Sequence, residues 1–295
     1  YRWTQIFEAG SIPSQATVLK ARPVQPGPQA PWVPPPIAEV VATIRRERPA
    51  AVFAPHVETA AGIILPDDYL RAVADAAHEV GALFVLDGIA SGTIWVDMEA
   101  TGVDVLISAP QKGWSSTPSA AMVMFSPRAR AAIDATQSTS FALDLGKWLQ
   151  IMEAYEKGGH AYHATMPTDS LVWLRDAMKE TADWGFDRAK AAQQELGQKV
   201  RAVLAKHGCR SVAAKGFEAP GVVVSYTDDN EIQSGRKFIA EGLQTAAGVP
   251  LQCDEGPDYR TFRIGLFGLD KLRNVDRTVG NLERALEHLH PAHAP

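Results

Sequence analysis

Asp87 and Lys112 each follow a short apolar run that reads as a buried strand. The first run is Ala82 to Leu86; the second is Val105 to Ile107, continued by Ser108, Ala109, Pro110 and Gln111. In an open α/β sheet, ligands collect outside the carboxyl ends of the strands. A carboxylate and an amine at neighbouring strand ends can therefore face one small molecule. Pyridoxal phosphate needs such a pair: a lysine for a Schiff base and an acid opposite the pyridine nitrogen. Taken singly, an aspartate at a strand end is more often a turn former, and a lysine is more often solvated surface. The argument lies in their coincidence.

The elements around them alternate. Ala16 to Lys20 reads as a strand, and the prolines from Pro23 to Pro36 shape a surface connection into a helix from Ile37 to about Arg46. Ala51 to Ala54 is a strand. Pro66 opens a helix with Asp67 and Asp68 in its first turn and an apolar face of Leu70, Val73, Ala74, Ala77 and Val80, closed by Gly81. Residues 51–87 thus form a βαβ unit, and Val105 to Ile107 and Ala121 to Phe125 extend the sheet. This pattern predicts an α/β three-layer sandwich with a mostly parallel sheet. From about Ser140 to Arg175 the chain is aromatic and polar, as in a connector. A long helix from about Trp184 to His207 follows, then strands at Val222 to Ser225 and Thr261 to Ile264. A last helix from about Leu272 to Leu289 completes a smaller α+β unit. The expected division is 1–145, 146–175 and 176–295.

A chain of 295 residues with 46% hydrophobic and 21% charged residues has ample core for this plan. A net charge of -5 gives no electrostatic reason to expect nucleic acid or an anionic membrane. Two cysteines, Cys209 and Cys253, cannot build a disulfide framework and suit a reducing compartment, the cytoplasm. Neither a membrane span nor a secretory signal is legible. His288, His290 and His293 read as a frayed tail.

Five segments, in order, resemble the class V aminotransferases among fold-type I pyridoxal phosphate enzymes, and most of all the alanine–glyoxylate/serine–pyruvate branch. They are His56 to Gly62, Asp87 to Ser91, Ser108 to Lys112, Tyr162 to Pro167, and Phe262 to Gly268. The resemblance implies pyridoxal 5'-phosphate held by Thr59, Asp87, Ile89, Ser108, Gln111, Lys112, Tyr162 and Thr165, with Lys112 and Asp87 catalytic. Arg263 would grip the substrate carboxylate in a two-pronged pair. Tyr162 and Thr165 would reach the cofactor phosphate of a neighbouring subunit, which implies a homodimer with shared sites. Alanine or serine as donor and glyoxylate or pyruvate as acceptor are what the branch implies.

The chain also departs from the pattern. A phosphate-cradling glycine-rich turn and a ring-stacking aromatic are not identifiable, so the expectation is that roughly the first quarter of a family member is missing. Pro110, and the run from Ser115 to Ser119 after the lysine, differ from relatives. Two other readings stay open. Cys253, ten residues before Arg263, could serve a cysteine desulfurase, although Gln111 stands where such enzymes usually place histidine. Alternatively the chain is a non-catalytic member of the fold. A hydrolase is weaker still, because no Gly-x-Ser-x-Gly elbow occurs.

Overall fold

The computed structural model describes residues 2–12 and 15–289. A four-stranded sheet forms the centre of the first half. Its strands are β1 (Ala51–Pro55), β2 (Leu83–Asp87), β3 (Val105–Ser108) and β4 (Met122–Phe125), lying side by side in chain order. The first three are parallel and β4 returns antiparallel, so the sheet is mostly parallel as expected. The register aligns Pro55 with Asp87 and Asp87 with Ile107, which places three strand ends side by side.

Alternation along the strands sorts the side chains. Phe84 and Leu86 join Leu70, Val73 and Ala77 in one core beneath helices α1 (Ile37–Glu47) and α2 (Asp67–Glu79). Each large side chain removed from water there contributes about 2 kcal/mol. Phe53 points the other way, where Trp3 and Phe7 of the helix Arg2–Gly10 stack on it, with ring centroids 4.8 and 5.0 Å away. Asp104, which is buried, accepts hydrogen bonds from the Phe84 amide and the Ser126 hydroxyl, both at 2.9 Å. It ties the N-terminal edges of β2 and β3 to the turn after β4.

The second half packs helices α3 (Thr168–Trp184), α4 (Phe186–Lys206) and α5 (Val275–Leu289) with an antiparallel sheet of β5 (Val222–Tyr226), β6 (Ala246–Ala247) and β7 (Thr261–Gly265). Leu196, Val200 and Leu204 of α4 meet Val223, Phe262, Leu282 and Leu286 in its core.

Three local expectations are corrected. Ala16 to Lys20 is not a strand: Val18 is 54% exposed, and nothing pairs with its backbone. The pairing forms instead between Arg22–Pro23 and Trp32–Val33. The connector is partly helical, at Leu145–Glu156, with Asp144 accepting from the Lys147 amide as its cap. The long helix stands as expected, at Phe186–Lys206, and a further helix, Thr168–Trp184, precedes it across Gly185, whose φ of +103 no helix accommodates. The last helix starts later than expected, as α5, because Asn274 separates it from the short helix Leu269–Arg273. Among the described residues no helix is long and apolar enough to cross a membrane.

Candidate functional site

The three strand ends are laced together by backbone. The His56 amide donates to the Asp87 carbonyl at 2.8 Å, and the Gly88 amide donates to the Ile107 carbonyl at 2.8 Å. Asp87 is half-buried, and one carboxylate oxygen accepts from the Ile89 amide at 3.1 Å. The loop then turns back through a Ser91 amide to Gly88 carbonyl bond. Beneath it lies His56, 1% exposed, with Nδ1 at 2.7 Å from the Ser91 hydroxyl. Burial pushes the His56 ring down to about 4, with Lys190 adding to that direction and Asp67 opposing it, so the ring is neutral at pH 7.

Two glycines bring Lys112 to this loop. A Cβ on Gly113 would fall 2.1 Å from the Gly92 carbonyl oxygen, so the two chain segments touch through bare backbone. Lys112 is half-buried, and its amine lies 5.1 Å from the centre of the Phe267 ring. No described carboxylate pairs with that amine. Phe267 in turn nests against glycines: a Cβ at Gly221 would stand 3.1 Å from its ring, and one at Gly92 3.5 Å. A cavity of about 630 Å³ opens beside Lys112, its lining including Gln111, Ser115, Ser116, Glu180, Phe267 and Asp270. The Ser116 hydroxyl is buried there without a hydrogen-bond partner.

The other expected residues fall in different places. Thr59 lies in the hairpin turn after β1, closed by the Gly62 amide on the Glu58 carbonyl, and its hydroxyl bonds no described residue. Ile89 is half-buried, Ser108 ends β3, and Gln111 is exposed. Arg263 sits on β7, its Nε donating to the Ala247 carbonyl at 2.8 Å, four residues before Phe267. Tyr162 and Thr165 are not at the strand ends. Their hydroxyls lie 3.2 Å apart on the surface, and Tyr162 is 80% exposed. His163 packs on Phe141, its Nε2 2.8 Å from that residue's carbonyl.

Both cysteines are free thiols. Burial raises the Cys253 thiol, and Lys20, the nearby cation, is bonded to Asp254 at 2.8 Å. The Ala21 amide and Lys20 favour a thiolate there, but burial outweighs them. Burial holds Cys209 at about 11. His288 bonds Glu241 at 2.7 Å rather than fraying, while His290 and His293 lie outside the described residues. Among the described residues no His, Cys, Asp and Glu group could hold a metal.

Sequence reasoning missed His56, Ser91, Ser116 and Phe267 as parts of this site. His56 and Phe267 stand inside the resembling segments, and an apolar or buried position was their only further signal. Ser91 also stands inside such a segment, at the end of Asp87 to Ser91, but its bond to His56, like the burial of Ser116, needed tertiary contacts.

The chain aligns with alanine–glyoxylate aminotransferase of Oryctolagus cuniculus at 26% identity over 258 residues, 85% of this chain and 64% of that protein. A protein named as the small subunit of a soluble hydrogenase, from Synechococcus sp., is 27% identical over 296 residues, 98% of this chain and 71% of that one. The crystal structure of alanine–glyoxylate aminotransferase from Nostoc sp. superimposes with a TM-score of 0.69 at 24% identity, covering 85% of this chain and 65% of that chain. This chain therefore spans a little under two thirds of the length of the two named aminotransferases. The fold is that of fold-type I pyridoxal phosphate enzymes. The model of the family described as aminotransferase class-V matches residues 33–245, and the chain belongs to the class V aminotransferases.

Proposed function

We propose that the chain carries the catalytic core of a pyridoxal phosphate-dependent transaminase. The reaction would move an amino group from a small amino acid of the alanine or serine class to a 2-oxo acid such as glyoxylate or pyruvate. One observation carries the reading: the Lys112 turn rests on the Asp87 loop through Gly113 and Gly92, with amine and carboxylate both free of ion pairs. The residues fit the cofactor. Asp87 has a second carboxylate oxygen free to accept a proton-bearing ring nitrogen, and the Thr59 and Ser116 hydroxyls lack partners.

When bound, the cofactor supplies a protonated pyridine ring that takes up the electrons left as a substrate α-carbon loses its proton. Asp87 would keep that nitrogen protonated by staying ionised. Lys112 would hold the cofactor aldehyde through Nζ and then carry the α-proton, a role suited to an amine with no carboxylate to hold its charge. Ile89 would pack under the ring. Thr59, Ser108 and Gln111 would donate to the ring hydroxyl or phosphate, and Arg263 would orient the substrate carboxylate.

The proposal extends to a homodimer in which Tyr162 and Thr165 donate to the partner's phosphate. Phe141, Leu143 and Trp173, 73%, 76% and 61% exposed, support it as large apolar side chains open to solvent in the same stretch of chain. The division 1–145, 146–175 and 176–295 belongs to the same reading, as does a cytoplasmic location, which the two free cysteines favour.

The test is direct. The chain mixed with pyridoxal phosphate should gain the near-visible absorbance of a lysine-bound pyridoxal, and borohydride should fix the label on Lys112. Lys112→Ala should abolish both and lower alanine–glyoxylate transamination by about 10³-fold or more. A chain that never takes up pyridoxal phosphate would be a non-catalytic member of the family.

A further inference from the structure

Three residues beyond Lys112, Ser115 adopts φ +59, a left-handed conformation that side chains other than glycine adopt only under constraint. Its amide closes the turn on the Lys112 carbonyl at 3.2 Å. Its hydroxyl accepts from the Leu269 amide at 2.8 Å, a contact between residues 154 apart in sequence. Leu269 follows Gly268 and Phe267, the continuation of the strand that carries Arg263. Gly268 itself has φ +107, and a Cβ there would come within 4.0 Å of the Ser115 hydroxyl. The strained serine thus bonds the lysine turn at one end and the end of the arginine strand at the other. Phe267 against the Lys112 amine is the second contact across the same joint.

We propose that Ser115 is a positioning residue that sets where the Lys112 amine stands relative to the Arg263 guanidinium. A substrate amino acid must present its α-carbon to one and its carboxylate to the other. A displacement of the joint then weakens substrate engagement even when each group is intact. This inference rests on the transaminase reading for its consequence, but the latch itself does not depend on cofactor. The strain explains why serine holds the position: the turn must be left-handed, and its side chain must also carry an acceptor. Asparagine meets both demands, alanine lacks the acceptor, and glycine relieves the strain without supplying one.

The experiment compares Ser115→Ala, Ser115→Gly and Ser115→Asn in the full chain. Amide hydrogen exchange at Leu269, measured without cofactor, should quicken about fivefold to tenfold in the alanine and glycine variants, as for loss of one hydrogen bond. It should return toward the original rate in the asparagine variant. With pyridoxal phosphate bound, KM for both amino acid and oxo acid should rise about fivefold to tenfold in the first two variants, while cofactor affinity stays within about twofold. Unchanged Leu269 exchange in both the alanine and glycine variants overturns the latch. So does asparagine failing to slow it. Faster exchange with unaltered KM overturns the positioning role. If the unsubstituted chain binds no pyridoxal phosphate, the transaminase reading fails and takes the positioning role with it, while the exchange rates decide separately whether the latch exists.

Discussion

The strand-end loops and the connector surface both display polar groups that pyridoxal phosphate could use, yet they differ in how they are held. At the strand ends, Asp87 and Lys112 are half-buried, and backbone bonds and bare glycine contacts fix their segments. On the connector, Tyr162 and Thr165 are exposed, and among the described residues their hydroxyls bond only each other. The first region is assembled by this chain's own folding. The second presents donors on a surface with the character of an interface, and under our proposal a second subunit completes it.

The largest effect should separate the regions by crowding. Gly113→Ala forces a Cβ against the Gly92 carbonyl, so it should cost about 3 kcal/mol and weaken capture of pyridoxal phosphate. Gly158 in the connector, at φ +77 with nothing within 4 Å of its would-be Cβ, meets only backbone strain. Gly158→Ala should cost about 1 kcal/mol and leave capture unchanged. Equal losses on thermal unfolding would erase the distinction.

Next in size is a pH effect confined to the strand ends. His56 is neutral in the fold, with its ring at about 4, whereas the unfolded chain protonates it near the ordinary histidine value. Between these values the unfolded state binds more protons. Stability from this group is therefore full above about pH 6.5 and declines as pH falls toward 4, by on the order of 2–3 kcal/mol. His56→Gln should flatten that part of the stability profile. An identical slope in both proteins would remove His56 as its cause.

The smallest effect tests the connector. Tyr162→Phe removes one phosphate donor, so cofactor affinity should fall about tenfold. Mixed with Lys112→Ala subunits, it should regain part of its activity through hybrid dimers. A chain that is active yet monomeric in sedimentation would end the shared-site proposal.

Much of this organisation was legible. The short apolar runs into Asp87 and Lys112, and the apolar face of α2, are local patterns, and local patterns survive in sequence. Asp104 shows the limit. It too lies near a strand of the same sheet, but it is buried and spends its oxygens on Phe84, Ser126 and His78, which holds the sheet together. Strand polarity already sets it apart from Asp87, since Asp104 precedes its strand and Asp87 ends one, but only contacts distant in sequence show what it holds. The expected strand at Ala16 to Lys20 failed for the same reason, since a strand needs a partner that composition does not name.

By itself, then, the sequence determined most of the strands and helices around the site, and it supplied the side chains that our proposal assigns to a cofactor. Those properties depend on residue type and short spacing. The fold alone decided that Gly113 would meet Gly92, that His56 would be buried under Ser91, and that Ser115 would hold Leu269 across the joint. These are contacts between segments brought close by the cooperative packing of two cores, and no spacing along the chain encodes a distance through space.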